Sequence, residues 1–348
     1  MSRRPGRTAN LVGPLLKKVS RSFYLSVAIL PAPVRPVVGI AYLLARAADT
    51  IADTRLLERG ARIGHLHALR DELAAAEPGR LAAIQAAVGP GQSLPAEREL
   101  LARLRECVDA YATLGEADRQ RVRALLSILV DGMTQDLRGF PGEGEGKLRA
   151  LETRADLVRY TYLVAGCVGE FWTDVQMAHR PRLRRLDAPH MRALGVRFGQ
   201  GLQMTNVLRD APRDLREGRC YLPRRDLEAH GLSPADLLDP AASPAARPLL
   251  RDLLGVALDW YGAGWHYTLA IPAREGRLRL ACAWPLLIGL RTLEGLARTE
   301  RWLDPAASVK VPRAEVYRLM AVSLPAVWST PALRAIARRS QRRLAALL

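Results

Sequence analysis

Residues 34–48 and 160–172 are apolar around almost the whole circumference of a helix. Apart from Arg35 near the start, their only charges are Arg46 and Glu170. Helices of that kind belong in the middle of a larger bundle rather than on a surface. Elsewhere apolar residues recur with helical period from end to end, and two-residue alternation is almost absent. The Pro- and Gly-rich breaks PAPVRP (31–36), GPGQ (89–92), GFPGEGEG (139–146) and GLSPADLLDPAASPAARP (231–248) divide the pattern. The spacing predicts helices near 34–54, 60–77, 95–113, 117–138, 152–178, 187–209, 249–270, 276–300 and 312–346. None of the breaks has the length or low complexity of an interdomain linker. The expectation is one all-α domain over residues 1–348, with 1–14 flexible and 321–348 a basic amphipathic helix.

The 348 residues are 49% hydrophobic but only 5% aromatic, and the net charge is +17 with a pI near 10.6. That balance suits an anionic partner, whether nucleic acid, acidic membrane or phosphorylated substrate. Arginines that merely solvate helix faces explain it equally well. Cys107, Cys167, Cys220 and Cys282 lie far apart without CxxC spacing, which argues against a zinc ribbon or a disulfide framework and fits a reducing compartment. The opening MSRRPGR lacks an apolar core, so no signal peptide is expected, and no unbroken run of apolar residues is long enough to predict a bilayer span.

The chemistry lies in two acidic pairs. In ARAADTIADT (45–54), Asp49 and Asp53 stand four apart and share a helix face. Like charges at that spacing cost only about 0.2–0.5 kcal/mol, so a lone pair of this kind is usually a solvated face. This pair, however, ends an apolar helix, where clustered carboxylates call for a cation and hard oxygens suit Mg²⁺. GLQMTNVLRDAPRDLREGRCYLP (201–223) repeats the spacing with Asp210 and Asp214. Gln203, Asn206 and Asp210 follow at i, i+3 and i+7, a polar stripe opposite Leu202, Met204, Val207 and Leu208. Pro212 predicts a kink or helix end between the two aspartates. Arg46 precedes the first pair and Arg209 the second, each with the fork geometry that fits phosphate oxygens. Together the pairs are read as two walls of one cavity in which metals hold a diphosphate. The small residues at 165, 166 and 169 are read as helix packing.

These motifs resemble those of the squalene/phytoene synthases, the head-to-head prenyl transferases, over about residues 15–319. VSRSFYLS (19–26) is similar to the family's N-terminal substrate-binding motif, and YLLARAADTIADT (42–54) to its first aspartate motif. YTYLVAGCVG (160–169) is similar to its Tyr-x-x-x-Val-Ala-Gly-x-Val-Gly segment, and QMTNVLRDAPRD (203–214) to its second aspartate motif. The resemblance implies a helical bundle with a central cavity and Mg²⁺ held by Asp49, Asp53, Asp210 and Asp214, with Asn206 near. It implies substrate contacts from Arg21, Ser22, Phe23, Tyr42, Arg46, Gln203, Asn206 and Arg209, and a proton-handling Tyr160. Phe23, Tyr42 and Trp172 would offer π faces to a carbocation.

The implied substrate is farnesyl diphosphate, or geranylgeranyl diphosphate in the longer-chain branch. Two farnesyl units would join through presqualene diphosphate. Squalene synthases then quench the final cation with hydride from NADPH, whereas phytoene-type enzymes lose a proton. SRSF and YLLARAADTIADT lean towards squalene. The extra acidic residue usual in each squalene-synthase motif is replaced here by Ala52 and Arg213, and GMTQDL (132–137) with the AWP at 283–285 leans the other way. Arg219, with Asn206, is the candidate NADPH contact, although no GxGxxG accompanies it. The expected location is cytoplasmic. The tail LRAIARRSQRRLAALL is read either as resting on the inner face of an anionic membrane or as a solvated terminal helix. A nucleic-acid-binding role would leave the paired aspartates without a reason, so no nucleic-acid partner is expected.

Overall fold

The computed structural model describes residues 10–20, 23–74, 79–89, 91–140 and 147–348. Among them the fold is all-α apart from one two-residue parallel bridge, in which Arg149 pairs with Arg219 and Ala150 with Cys220. The chain divides into two compact units, Met1–Leu137 with Phe171–Arg184 and Arg138–Glu170 with Arg185–Leu348.

The first unit is built on the helix Arg35–Asp53, which buries Val37, Val38, Ile40, Leu43, Leu44, Ala47 and Ile51. This is the all-round burial its composition requires. The helix stops where Thr54 turns extended (φ −65°, ψ 132°). Arg62, 5% exposed, donates to the terminal Ala52 carbonyl at 3.1 Å, and Gln92 donates to Thr54 Oγ1 at 3.0 Å. The reading of 1–14 as flexible does not hold at its inner end. Leu11–Leu15 forms a π-helical turn with Leu11 and Leu15 fully buried. Sequence periodicity also passes over the helix Leu81–Val88, eight residues between close breaks, and merges Pro95–Ala102 with Leu104–Ala112, which separate at Arg103.

In the second unit Ala188–Arg216 is the central helix, packed on Ser243–Ala270 and on the segment Arg154–Thr161 with the π-helical turn Tyr162–Gly166 that follows it. The small residues decide that approach. A Cβ on Gly169 would lie 1.9 Å from the Gly195 carbonyl oxygen, and one on Gly199 2.3 Å from that of Ala165. The glycines therefore serve backbone-to-backbone packing, as read. Glu170, the charge inside this apolar stretch, accepts from Tyr162 Oη at 3.0 Å.

Pro212 does not end its helix, which continues to Arg216. A proline removes the N–H that would bond the carbonyl four residues back. That carbonyl, on Leu208, instead accepts from the indole Nε1 of Trp302 at 2.8 Å, in a buried setting. A side chain from a distant loop repairs the defect, and the second aspartate pair stays on regular helix. The predicted terminal helix 312–346 is two, Arg313–Ala326 and Thr330–Ala345, divided where Ser329 caps the second through Ala332 N. Gly276–Arg298 lies in a stretch apolar and long enough to cross a membrane, Ala273–Arg298 with mean hydropathy 1.3, but 78% of it is buried in the protein, as for a core helix.

Candidate active site

In the first unit, Asp49 and Asp53 occupy the last turn and a half of Arg35–Asp53. Carboxylates there face the negative end of the helix dipole, the end that favours cations. Arg46, three residues earlier, forms an ion pair with Asp49 through Nη1 and reaches Glu97 through Nη2. Burial pulls the Arg46 guanidinium down, but Asp49 and Glu97 outweigh it and its pKa is raised. Asp49 keeps 39% of its side chain open to solvent. Its pKa is nevertheless pushed up to about 7, by desolvation first and by Asp53 second, against the pull of Arg46. Phe23 stacks on Tyr42 one turn before Arg46, with ring centroids 5.1 Å apart. Arg21 and Ser22 lie outside the described residues.

Glu97 escaped the sequence reading. It stands in the first turn of Pro95–Ala102, and an acidic residue at a helix start needs no function to explain it. Gln176 is not singled out by the sequence, yet neither amide atom of this fully buried residue has a hydrogen-bond partner among the described residues, nor does Nε1 of Trp172, one turn earlier and expected to offer a π face.

In the second unit two members of the predicted stripe, Gln203 and Asn206, form a connected chain with Tyr160. Asn206 donates to Gln203 Oε1 at 3.3 Å, and Gln203 Nε2 reaches Tyr160 Oη at 3.4 Å. The Tyr160 ring stacks on Tyr221 at 4.4 Å, and Tyr221 meets Phe140 edge-on. Arg209 grips both oxygens of Asp210, at 2.8 and 2.6 Å. Arg213, 68% exposed, donates to Asp214 at 3.2 Å. Burial raises the Asp214 pKa to about 6 even against that arginine. Arg219 lies on the short bridge, after Gly218 at φ +80°.

Among the described residues, no group of three or more acidic, His or Cys side chains converges to cage a metal. Mg²⁺ does not need such a cage. It is commonly held by one or two carboxylates and completes its octahedron with water and substrate phosphate oxygens. Each aspartate pair is a hard-oxygen donor set at a helix C-terminus, and burial raises the proton affinity of one carboxylate in each, Asp49 and Asp214. The residues fit the metal, and the neighbouring arginines fit the phosphate that would come with it.

The helical scaffold and carboxylate–arginine patches define a prenyltransferase. The squalene/phytoene synthase family model matches residues 16–315, and the chain belongs to that family. It is 30% identical to a presqualene diphosphate synthase of Zymomonas mobilis over 84% of each chain. It is 26% identical to a squalene synthase of Schizosaccharomyces pombe over 89% of this chain, spanning 64% of that longer protein. A solved structure described as the complex of TcSQS with the ligand E5700 superposes with a TM-score of 0.79 at 24% identity, covering 99% of this chain and 92% of that one, which gives the isoprenoid synthase fold.

Proposed function

We propose that this enzyme condenses two farnesyl diphosphates head to head through presqualene diphosphate and carries the product on to squalene with NADPH. The observation that carries the reading is the repeated patch: two carboxylates at a helix C-terminus, each patch with arginine already in place beside it. Asp49 and Asp53, with Asp210 and Asp214, would hold Mg²⁺, which when bound supplies Lewis-acid neutralisation of the departing diphosphate. Arg46 and Arg209 exchange their carboxylate partners for phosphate oxygens as the charge on the leaving group grows.

In the first half-reaction the allylic C–O bond breaks and diphosphate leaves with the electron pair. The double bond of the second substrate attacks the cation, and loss of a proton closes the cyclopropane. Tyr160 Oη, oriented by Gln203 and by its stack on Tyr221, is the group placed to take or relay that proton. The apolar bodies of the helices keep water from the cation. Arg219 is the residue assigned to the NADPH phosphate.

A second reading, that the chain releases presqualene diphosphate, is favoured by the likeness to the Zymomonas mobilis enzyme over 84% of each chain. Incubating the protein with farnesyl diphosphate and Mg²⁺, with and without NADPH, and weighing the extracted products tests both. Squalene only with NADPH supports the first reading, and presqualene diphosphate under both conditions supports the second. Dehydrosqualene without NADPH, or turnover confined to geranylgeranyl diphosphate, places the enzyme in the phytoene branch. Inertness to both substrates removes the catalytic assignment. Asp49→Asn and Asp210→Asn are each expected to lower turnover by roughly 100-fold or more.

A further inference from the structure

The proposed reaction leaves unused a groove in the second unit. It lies between the helices Ser243–Ala270 and Thr330–Ala345, which pack on each other, and has a volume of about 440 Å³. Trp265, His266 and Leu269 line it from the first helix, and Arg334, Arg338 and Gln341 from the second. The three residues of the second helix stand at i, i+4 and i+7, so helical spacing brings them to one face. Trp265 and Ala337 are 1% and 2% exposed, whereas both arginines are exposed. The groove thus has an apolar base and a cationic rim, and none of the four aspartates of the two patches borders it.

Its side chains offer donors in excess of acceptors. Arginine and tryptophan carry N–H groups and no acceptor. Among the described residues Arg334 and Arg338 have no carboxylate partner, and the helix that bears them contains no acidic residue. Trp265 Nε1 is buried without a hydrogen-bond partner among the described residues. Gln341 Nε2 is satisfied within its own helix, by the Ala337 carbonyl at 3.2 Å. Arg334 and Arg338 also border a more open hollow of about 790 Å³ with Arg339, Arg342 and Arg343, and no acidic residue lines that side either.

We infer that this groove is a second anion site, which takes the diphosphate group of a small soluble molecule between Arg334 and Arg338. Side chains four apart on a helix stand about 5–6 Å apart at Cβ, a spacing at which two guanidinium forks can each hold one of two linked phosphates. A volume of about 440 Å³ is that of a small-ligand site and too narrow for a nucleic-acid duplex. A lipid phosphate offers one group where the paired forks accept two. The inference does not rest on the proposed reaction, and its test does not read turnover.

The full chain, in low salt with EDTA so that no metal occupies the aspartate patches, is titrated calorimetrically with inorganic diphosphate. Saturable binding is expected, weakening as salt is added. R334Q/R338Q, at exposed positions, should weaken it roughly 100-fold, about tenfold for each charge-assisted arginine contact, while the thermal melt stays unchanged. R334K/R338K keeps the charge and loses the fork, and should weaken it roughly tenfold. R301Q/R313Q removes the same charge elsewhere on the exposed surface and should change it by less than about twofold.

No binding of diphosphate in low salt overturns the inference. So does a loss in R301Q/R313Q equal to that in R334Q/R338Q, which would reduce the effect to the general positive field of the chain. Sulfate bound as tightly as diphosphate, with the same loss in R334Q/R338Q, would make the groove a place for an adventitious ion only and also overturn it.

Discussion

Replacing Trp302 by Phe should uncouple a repair that keeps the second aspartate pair on regular helix. Pro212 leaves the Leu208 carbonyl without its helical donor, and the Trp302 indole supplies one at 2.8 Å. Trp302 is 3% exposed and Leu208 fully buried, so water cannot replace the indole. A buried carbonyl left unpaired costs about 1–3 kcal/mol, and the smaller ring adds a packing loss of about 1 kcal/mol. In the Pro212→Ala background the alanine N–H restores the ordinary helical bond, and only the packing loss should remain. The double-mutant cycle is therefore expected to show a coupling of about 1–2 kcal/mol between positions separated by most of a hundred residues. Urea midpoints of the four proteins, compared at constant slope, measure it. Coupling below about 0.5 kcal/mol would falsify the repair argument, since distant independent sites already add to within that margin. Because Asp210 and Asp214 flank Pro212, Trp302→Phe should also reduce turnover, by roughly 10- to 100-fold.

Four further outcomes follow from the geometry. The raised pKa values of Asp49, about 7, and Asp214, about 6, mean that the fold holds these protons more tightly than the unfolded chain does, so metal-free stability should fall as pH rises towards 7 and then level off. The Tm gain on adding Mg²⁺ should accordingly be larger at pH 8 than at pH 6, and a pH-independent gain would count against these carboxylates as ligands. Arg209→Gln releases both oxygens of Asp210, so calorimetry should find Mg²⁺ alone bound more tightly and diphosphate more weakly; a parallel loss of both would contradict the exchange of partners. Gly169→Ala, whose Cβ would meet the Gly195 carbonyl at 1.9 Å, should cost at least about 3 kcal/mol or prevent folding, whereas Gly255→Ala, with nothing within 4 Å, should stabilise its helix by about 0.5–1 kcal/mol in chemical denaturation. Gln176→Leu should stabilise the ligand-free protein by about 1–3 kcal/mol, because it removes a buried amide with no partner among the described residues; a loss of stability would mean that an ordered water satisfies it.

The sequence made visible what is local and periodic. The all-α class, the buried Arg35–Asp53 helix and the stripe of Gln203, Asn206 and Asp210 all follow from helical spacing, and each appears in the structure. What it hid depends on contacts between distant residues. Trp302 carries no mark that ties it to Pro212, and Pro212 by itself argues for a kink or helix end, whereas the helix runs on to Arg216. Glu97 reads as an ordinary acidic first turn until the fold brings it to Arg46. The exposed stripe of Tyr317, Leu324 and Trp328 has the same spacing as a buried face, so periodicity alone placed it only within a helical span, 312–346. Only burial separates the two cases.

The two aspartate patches share one physical design. An acid at a helix C-terminus is opposed by the dipole, an acid four residues from another is opposed by its neighbour, and an acid partly out of water is opposed by desolvation. For Asp49 and Asp214 desolvation leads and the neighbouring carboxylate adds to it, so the proton affinity is raised. Arginines at the preceding turn or the preceding residue offset the charge in the metal-free protein without filling the metal's coordination sphere. A bound cation satisfies the carboxylates better than an arginine does, because it brings two charges to the helix end at short range. The displaced guanidiniums would then be left with no anion of their own. A metal-bound diphosphate supplies that anion. On the proposed reading, the arginines that offset part of the carboxylate charge would also let metal and diphosphate bind together better than either binds alone.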